Sequence, residues 1–230
     1  MLQLTNVQVD IGLHTILKDI TFTINKGEIL ALLGHNGAGK STTMKAIMGW
    51  QEKKEGTITI NQWNQDNEFL AFKKEIAYIP EEPFLLSELT VMQHFQLYGQ
   101  SYEIPEDIWM KRVEKYTRLF EIEDKLDEYP ESLSKGMRQK VQTICALLPD
   151  CALLLIDEPF MGLDVHAAME LEKLIKLKAD RGTSVLLTSH QLDRVKKIAS
   201  KYVMLQNGVV LEERDMRDFD DLKRRREDGE

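Results

Sequence analysis

Hydrophobic and polar positions alternate at the start of the chain, then change period twice. LQLTNVQV (Leu2 to Val9) and ITFTI (Ile20 to Ile24) alternate with period two, which predicts half-buried strands. EILALLG (Glu28 to Gly34) is a continuous apolar run, as expected of a strand buried on both faces. A helix is predicted to open at Lys40, with Met44, Ile47 and Met48 on one face, and to stop at Gly49. Gly56 to Ile60 and Ile76 to Ile79 predict two more strands. From Thr90 to Leu148 the period is helical: Trp109, Val113, Tyr116 and Phe120 share one face, and Met137, Val141, Ile144, Cys145 and Leu148 another. Trp109 and Tyr116 are therefore expected in the core rather than stacked on a ligand. The last third alternates between classes: ALLLI as a strand, a helix across Ala167 to Lys178, TSVLLTS as a buried strand, and a helix from Gln191 to Ile198. Short strands follow around Tyr202 to Leu205 and Val209 to Leu211. Strand, helical insert, strand predicts an α/β core with a parallel sheet and an all-helical lobe inserted into it.

The 230 residues suffice for one large domain or one domain with an inserted lobe. Hydrophobic residues make up 43% and charged residues 30%, an ordinary globular balance, and the net charge of −8 argues against nucleic acid as a partner. Cys145 and Cys151, in ICALLPDCALLL, are expected as buried free thiols in a reducing compartment. MLQLTNVQVD shows no basic segment followed by an apolar one, so no secretory signal is expected. No apolar run approaches the ~20 residues that span a bilayer, so work at a membrane would need another protein to supply the span. The ending DMRDFDDLKRRREDGE is expected to be solvated, with a membrane-surface contact through Lys223 to Arg226 as the other reading.

Candidate chemistry sits at three places. GHNGAGKST comprises Gly34, His35, Asn36, Gly37, Ala38, Gly39, Lys40, Ser41 and Thr42; it fits G-x-x-x-x-G-K-[ST], follows a strand and opens a helix. Its glycines let backbone N–H groups point inward at phosphate oxygens, the helix start adds partial positive charge, Lys40 adds a full one, and the Ser41 hydroxyl can ligate Mg²⁺. LLLIDEP delivers Asp157 and Glu158 to the carboxyl end of a buried strand, where open α/β sheets bind ligands. Asp157 is expected to hold Mg²⁺ through water, and Glu158 to take a proton from an attacking water as general base. LSKGMRQK puts Ser134 and Gly136 at a helix start, either an ordinary N-cap or an anion site without a local anion. A GTPase would need N-K-x-D after the phosphate loop; the nearest string, NKGE at Asn25 to Glu28, precedes it and is expected to be a turn. His14, His35, His94 and His166 show no metal-site spacing and are expected on the surface or in local contacts.

The ordered set GHNGAGKST, LSKGM, LLLIDEP, MGLD, TSH resembles the ATP-binding subunit of an ABC transporter from Leu2 to about Glu213. That resemblance implies a P-loop NTPase (RecA-like) core, residues 1–85 and 150–215, with an N-terminal antiparallel β-subdomain. An inserted all-helical subdomain at about 86–149 and a charged tail at 216–230 complete the division. It also implies two cassettes, expected to be identical, facing head to tail, so that Ser134 and Gly136 meet the γ-phosphate of ATP held by the partner copy. Asp164 in MGLD matches the loop linking the two sites, and His190 in TSH matches a switch histidine that orients Glu158 and the water. Three positions depart from the family pattern. Ile11, with Gly12, stands where an aromatic residue often stacks on adenine; Glu81 stands where a glutamine usually contacts Mg²⁺; and the signature reads LSKGM rather than LSGGQ. The implied activity is hydrolysis of ATP, with Mg²⁺, driving transport through a separate integral membrane permease at the cytoplasmic face, with a look closer to export than uptake. A soluble ATP-gated clamp and a regulatory nucleotide-binding subunit are the alternatives.

Overall fold

Strict alternation along the buried strands assigns each side chain to one of two cores. The computed structural model describes residues 1–219; Lys223 to Arg226 and the rest of the charged ending lie outside the described residues. A six-stranded sheet has the order β10 (Val209–Asp215), β9 (Lys201–Gln206), β3 (Ile29–Leu33), β8 (Ser184–Thr188), β7 (Leu153–Asp157), β6 (Ile76–Ile79). All neighbours pair in parallel except β10 on β9. In β3, Ile29, Ala31 and Leu33 face one core while Leu30 and Leu32 face the other; β7 divides likewise into Leu154 and Ile156 against Leu153 and Leu155. Both faces are covered, which is why these strands read as unbroken apolar runs.

One core is closed by the helices α3 (Val91–Ser101), α4 (Glu106–Leu119), α5 (Lys135–Leu147), α6 (Val165–Asp180) and α7 (Leu192–Ile198). The other is closed by α1 (Lys40–Ile47) and a four-stranded antiparallel sheet, ordered β2 (His14–Ile24), β1 (Leu2–Ile11), β4 (Glu55–Ile60), β5 (Trp63–Asn64). The alternation in β1 slips once. Leu2 and Leu4 are buried, then Val7 and Val9, and the register shifts between them at Asn6, whose φ is 51°. Trp109, Val113, Tyr116 and Phe120 are all buried in the helical core, as their spacing predicts.

The helical stretch holds α3, α4 and α5, separated by breaks at residues 102–105 and 120–134. Two elements carry no readable period: β5 is two residues long, and α2 (Phe69–Lys74) buries only Phe72. Met216 and Phe219, in the segment expected to be a charged tail, are buried, with Phe219 edge-on to Tyr202 at 5.4 Å. Cys145 and Cys151 are free and buried; burial pushes the Cys145 thiol well up and the Cys151 thiol up to about 12. Among the described residues no helix is long and apolar enough to cross a membrane.

Unlike the exposed His14, His35 and His166, His94 is nearly buried and both ring nitrogens are engaged. Nε2 accepts from Leu86 N at 2.9 Å and Nδ1 lies 2.7 Å from Thr90 O, a neutral imidazole pinning the loop that follows β6 to α3. Burial lowers its pKa below the ordinary value. Between the lowered folded value and the unfolded one, the unfolded chain binds more protons, so this contribution is present above about pH 6.5 and is lost on acidification. The thermal midpoint is expected to fall between about pH 7 and about pH 5.5, and to fall less in His94→Asn, whose amide takes no proton. Equal falls in both proteins would remove His94 from this role.

Candidate functional site

The carboxyl ends of β3, β6, β7 and β8 open onto one cleft of about 550 Å³. Its lining combines Asn36, Gly37, Gly39, Lys40, Ser41 and Thr42 from the loop after β3 with Glu81, Asp157, Glu158 and His190 from the other strand ends; Ile11 and Ile16 of the β1–β2 hairpin complete it. Gly34 starts the loop where nothing larger fits, since a Cβ there would sit 2.4 Å from Leu205 O of β9. Gly37 has φ 82° and no neighbour within 4 Å of a would-be Cβ, so the loop presents bare backbone to the cleft. Ala38 is buried beneath, and His35 is exposed with Nδ1 2.7 Å from Asn36 O. Lys40 Nζ donates to Gly34 O at 2.8 Å and His35 O at 3.2 Å, drawing the loop around its own ammonium. The start of α1 carries no side-chain cap, leaving its first N–H groups directed at the loop's concavity.

The opposite wall is acidic. Asp157 and Glu158 are only 8% and 6% exposed, so they are not solvated acids at a strand end. Thr188 of β8 organises both: its hydroxyl donates to Asp157 Oδ1 at 2.5 Å and accepts from Glu158 N at 3.2 Å. Glu158 has φ 50°, a left-handed conformation that costs about 1–3 kcal/mol in a non-glycine residue and recurs at functional sites. Its Oε2 accepts from His190 N at 3.1 Å. Its Oε1 is buried without a hydrogen bond, although His190 Nε2 lies 3.4 Å away. A buried carboxylate oxygen with no donor among the described residues is rare, and Glu158 is one of the residues that line the cleft. Glu81 projects from the end of β6. Burial first, then the Asp157 and Glu81 charges, pushes the Tyr78 phenol well above its ordinary value.

Polyphosphate fits between the two walls, with N–H groups and an ammonium on one side. A divalent cation fits as well: Ser41, Glu81 and Asp157 all line the cleft, and Asp157 keeps its second oxygen clear of Thr188. Among the described residues no group of three or more His, Cys, Asp or Glu could hold a metal ion.

Ser134, Gly136 and Asp164 are not in this cleft. They form a second cluster, where Ser134 caps α5 and accepts from Met137 N at 3.3 Å. A Cβ on Gly136 would meet Gly162 O at 2.7 Å, so the start of α5 lies flush against the loop before α6. Asp164 caps α6, accepting from Ala167 N at 2.8 Å, and pairs with Lys140 at 2.8 Å; the Ala167 N–H first, then Lys140, hold its carboxyl below the usual range. Two residues escaped the sequence reading as site residues: Ile16, which lines the cleft, and Thr188, which holds Asp157 and Glu158 from behind it. Thr188 directly precedes His190's serine in TSH and ends a buried strand, which is the signal available for it.

The model for the family described as ABC transporter matches residues 17–161. The ABC-type transporter ATP-binding protein EcsA of Bacillus subtilis is 36% identical over 197 residues, covering 86% of this chain and 80% of that protein. The SkfA peptide export ATP-binding protein SkfE of the same organism is 30% identical over 197 residues, covering 86% and 82%. Proteins named for methionine import, from Chlamydia caviae and Lactobacillus delbrueckii, also match. A solved ATP-binding subunit of an ABC transporter superposes with a TM-score of 0.92 at 36% identity, covering 98% of this chain and 92% of that one.

Proposed function

The chain belongs to the ABC transporter family as an ATP-binding subunit, an ATPase coupled to transport, and from that premise we propose how its two clusters divide the work. Residues 34–42 hold the ATP phosphates through backbone N–H groups and Lys40, and Ile11 with Ile16 supplies an apolar wall for the adenine. Ser41, Asp157 and Glu81 would hold Mg²⁺, which would supply positive charge to offset that of the phosphates. Glu158 takes the proton of the attacking water on Oε1, while the His190 backbone N–H fixes Oε2 and its imidazole orients the pair. Ser134 and Gly136 meet the γ-phosphate held by a second copy, and Asp164 links the two sites across the dimer. A two-fold axis between identical copies then gives two composite sites.

The observation that carries this reading is the separation of the clusters: a complete cradle with its acid wall in one cleft, and Ser134 at a helix start outside it. Closing two copies brings the halves together, and hydrolysis lets them part. The helical region, about residues 86–149, is the unit that swings. A permease docks on the apolar surface nearby. Trp50, Phe69 and Leu70 are exposed, with Lys73 Nζ 5.8 Å and 6.0 Å over the two rings, and Phe84 is exposed in the loop after Glu81. The chain thus works at the cytoplasmic face of a membrane, and the direction proposed is export, supported by the likeness to the peptide export protein. Tagged protein recovered from gently solubilised membranes is expected to bring a polytopic membrane protein in near-equal amount; recovery with soluble partners alone would contradict the docking.

Ile11 sets a further expectation. An aliphatic contact buries area but lacks the stacking contribution of an aromatic ring, about 1 kcal/mol, and reads no base edge. GTP and ATP are therefore expected to be hydrolysed with similar kcat/KM, and Ile11→Tyr to tighten both. A strong ATP preference in the natural protein would refute this.

A further inference from the structure

Lys135 occupies a poor place for a cation. It is the first residue of α5, where the helix dipole is positive, and no acidic residue lies in that turn. Its Nζ is held instead by Glu82 Oε1 at 2.6 Å, across 53 residues of chain, and both side chains are exposed. Glu82 directly follows Glu81 on the segment leaving β6. The same segment is tied to α5 twice more: Gln139 Nε2 donates to Pro80 O at 3.1 Å, and Phe84 N donates to Gln142 Oε1 at 3.1 Å. Positions 135, 139 and 142 form one helical face, so a single side of α5 grips residues 80–84. Two of these ties involve backbone and are insensitive to anions. The third is a solvent-exposed charge pair, which another anion can displace.

We infer that Glu82 is an internal competitor for the phosphate that Ser134 and Gly136 meet on the partner copy, and that Lys135 exchanges the carboxylate for that phosphate as two copies close. The inference rests on the head-to-tail dimer proposed above. A terminal phosphate carries more charge than a carboxylate and is met by the helix start and the Ser134 hydroxyl as well as the ammonium. Exclusion of water on closure strengthens the new contact further. The exchange releases Glu82, so residues 80–84 lose one of three ties to α5 just as the site forms. Occupancy of the partner's site is thereby communicated to the loop carrying Glu81 and Phe84. Lys135 and Glu82 are positioning residues, acting on dimer closure and on that loop rather than on the reacting atoms.

The test uses Glu158→Gln protein and follows dimer formation by sedimentation as ATP is raised in the presence of Mg²⁺. Adding Glu82→Gln is expected to lower the ATP concentration at half-dimerisation about two- to five-fold, the size of an exposed ion pair. Adding Lys135→Gln is expected to raise it, and in that background Glu82→Gln should no longer have an effect, as a double-mutant cycle requires of a direct competition. A midpoint that does not fall with Glu82→Gln, or one that falls equally with and without Lys135, overturns the exchange alone. No ATP-dependent dimer at all would overturn the head-to-tail reading and the exchange with it.

Discussion

Replacing Glu158 by glutamine is expected to lower ATP turnover by about 10²- to 10⁴-fold, the usual contribution of a positioned general base, while ATP affinity is nearly unchanged. Glutamine has the same shape, and its amide oxygen can still accept from His190 N, the bond that holds Oε2 at 3.1 Å. What it cannot do is take a proton at the position of Oε1, the buried oxygen that has no donor among the described residues. The prediction is thus specific to the reaction: binding intact, chemistry gone, and ATP retained between two copies that no longer part. Single-turnover hydrolysis alongside equilibrium ATP binding checks it. Turnover within ten-fold of the natural protein would remove Glu158 from the role of base.

The second large effect belongs to Lys40. Lys40→Ala is expected to weaken ATP binding by about 10- to 100-fold, as loss of a charge-assisted bond to phosphate predicts. The substitution lies at the first residue of α1, whose inward side chains, Met44 and Ile47, stay buried, so the fold is expected to survive. Two effects combine in the loss. The ammonium no longer meets the phosphates, and the carbonyls of Gly34 and His35 lose the donor that draws the loop around them. Calorimetric titration with ATP, beside circular dichroism to confirm folding, separates lost affinity from lost structure. Unchanged affinity would contradict the cradle.

Much of this molecule is legible in its sequence because its signals are local. A run such as LLLID needs no partner to declare itself a strand buried on both faces, and it delivers Asp157 to the sheet's carboxyl edge wherever its neighbours lie. The loop from Gly34 to Thr42 is equally self-contained. Ser134 is half legible: its N-cap role follows from the residue and its position, whereas the ligand it faces does not, because that ligand belongs outside the chain's own cleft. What escaped is held by contacts remote in sequence or too short to show a period. Thr188 meets Asp157 across 31 residues, and Lys135 meets Glu82 across 53. α2 buries one side chain, so no face repeats. Met216 and Phe219 were hidden by the charges around them, although burial against Tyr202 makes them part of the core.

In the proposed dimer, ATP sits between the phosphate loop of one copy and the start of α5 in another. The most direct test is a disulfide trapped across that gap. Two preparations of Glu158→Gln protein, one carrying Asn36→Cys and the other Ser134→Cys, are mixed and oxidised with and without ATP and Mg²⁺; the natural Cys145 and Cys151 are buried. A cross-linked dimer is predicted in the mixture, dependent on ATP and missing from either preparation alone. A mixture that binds ATP yet yields no such dimer, or the same band from each preparation by itself, would contradict the composite site.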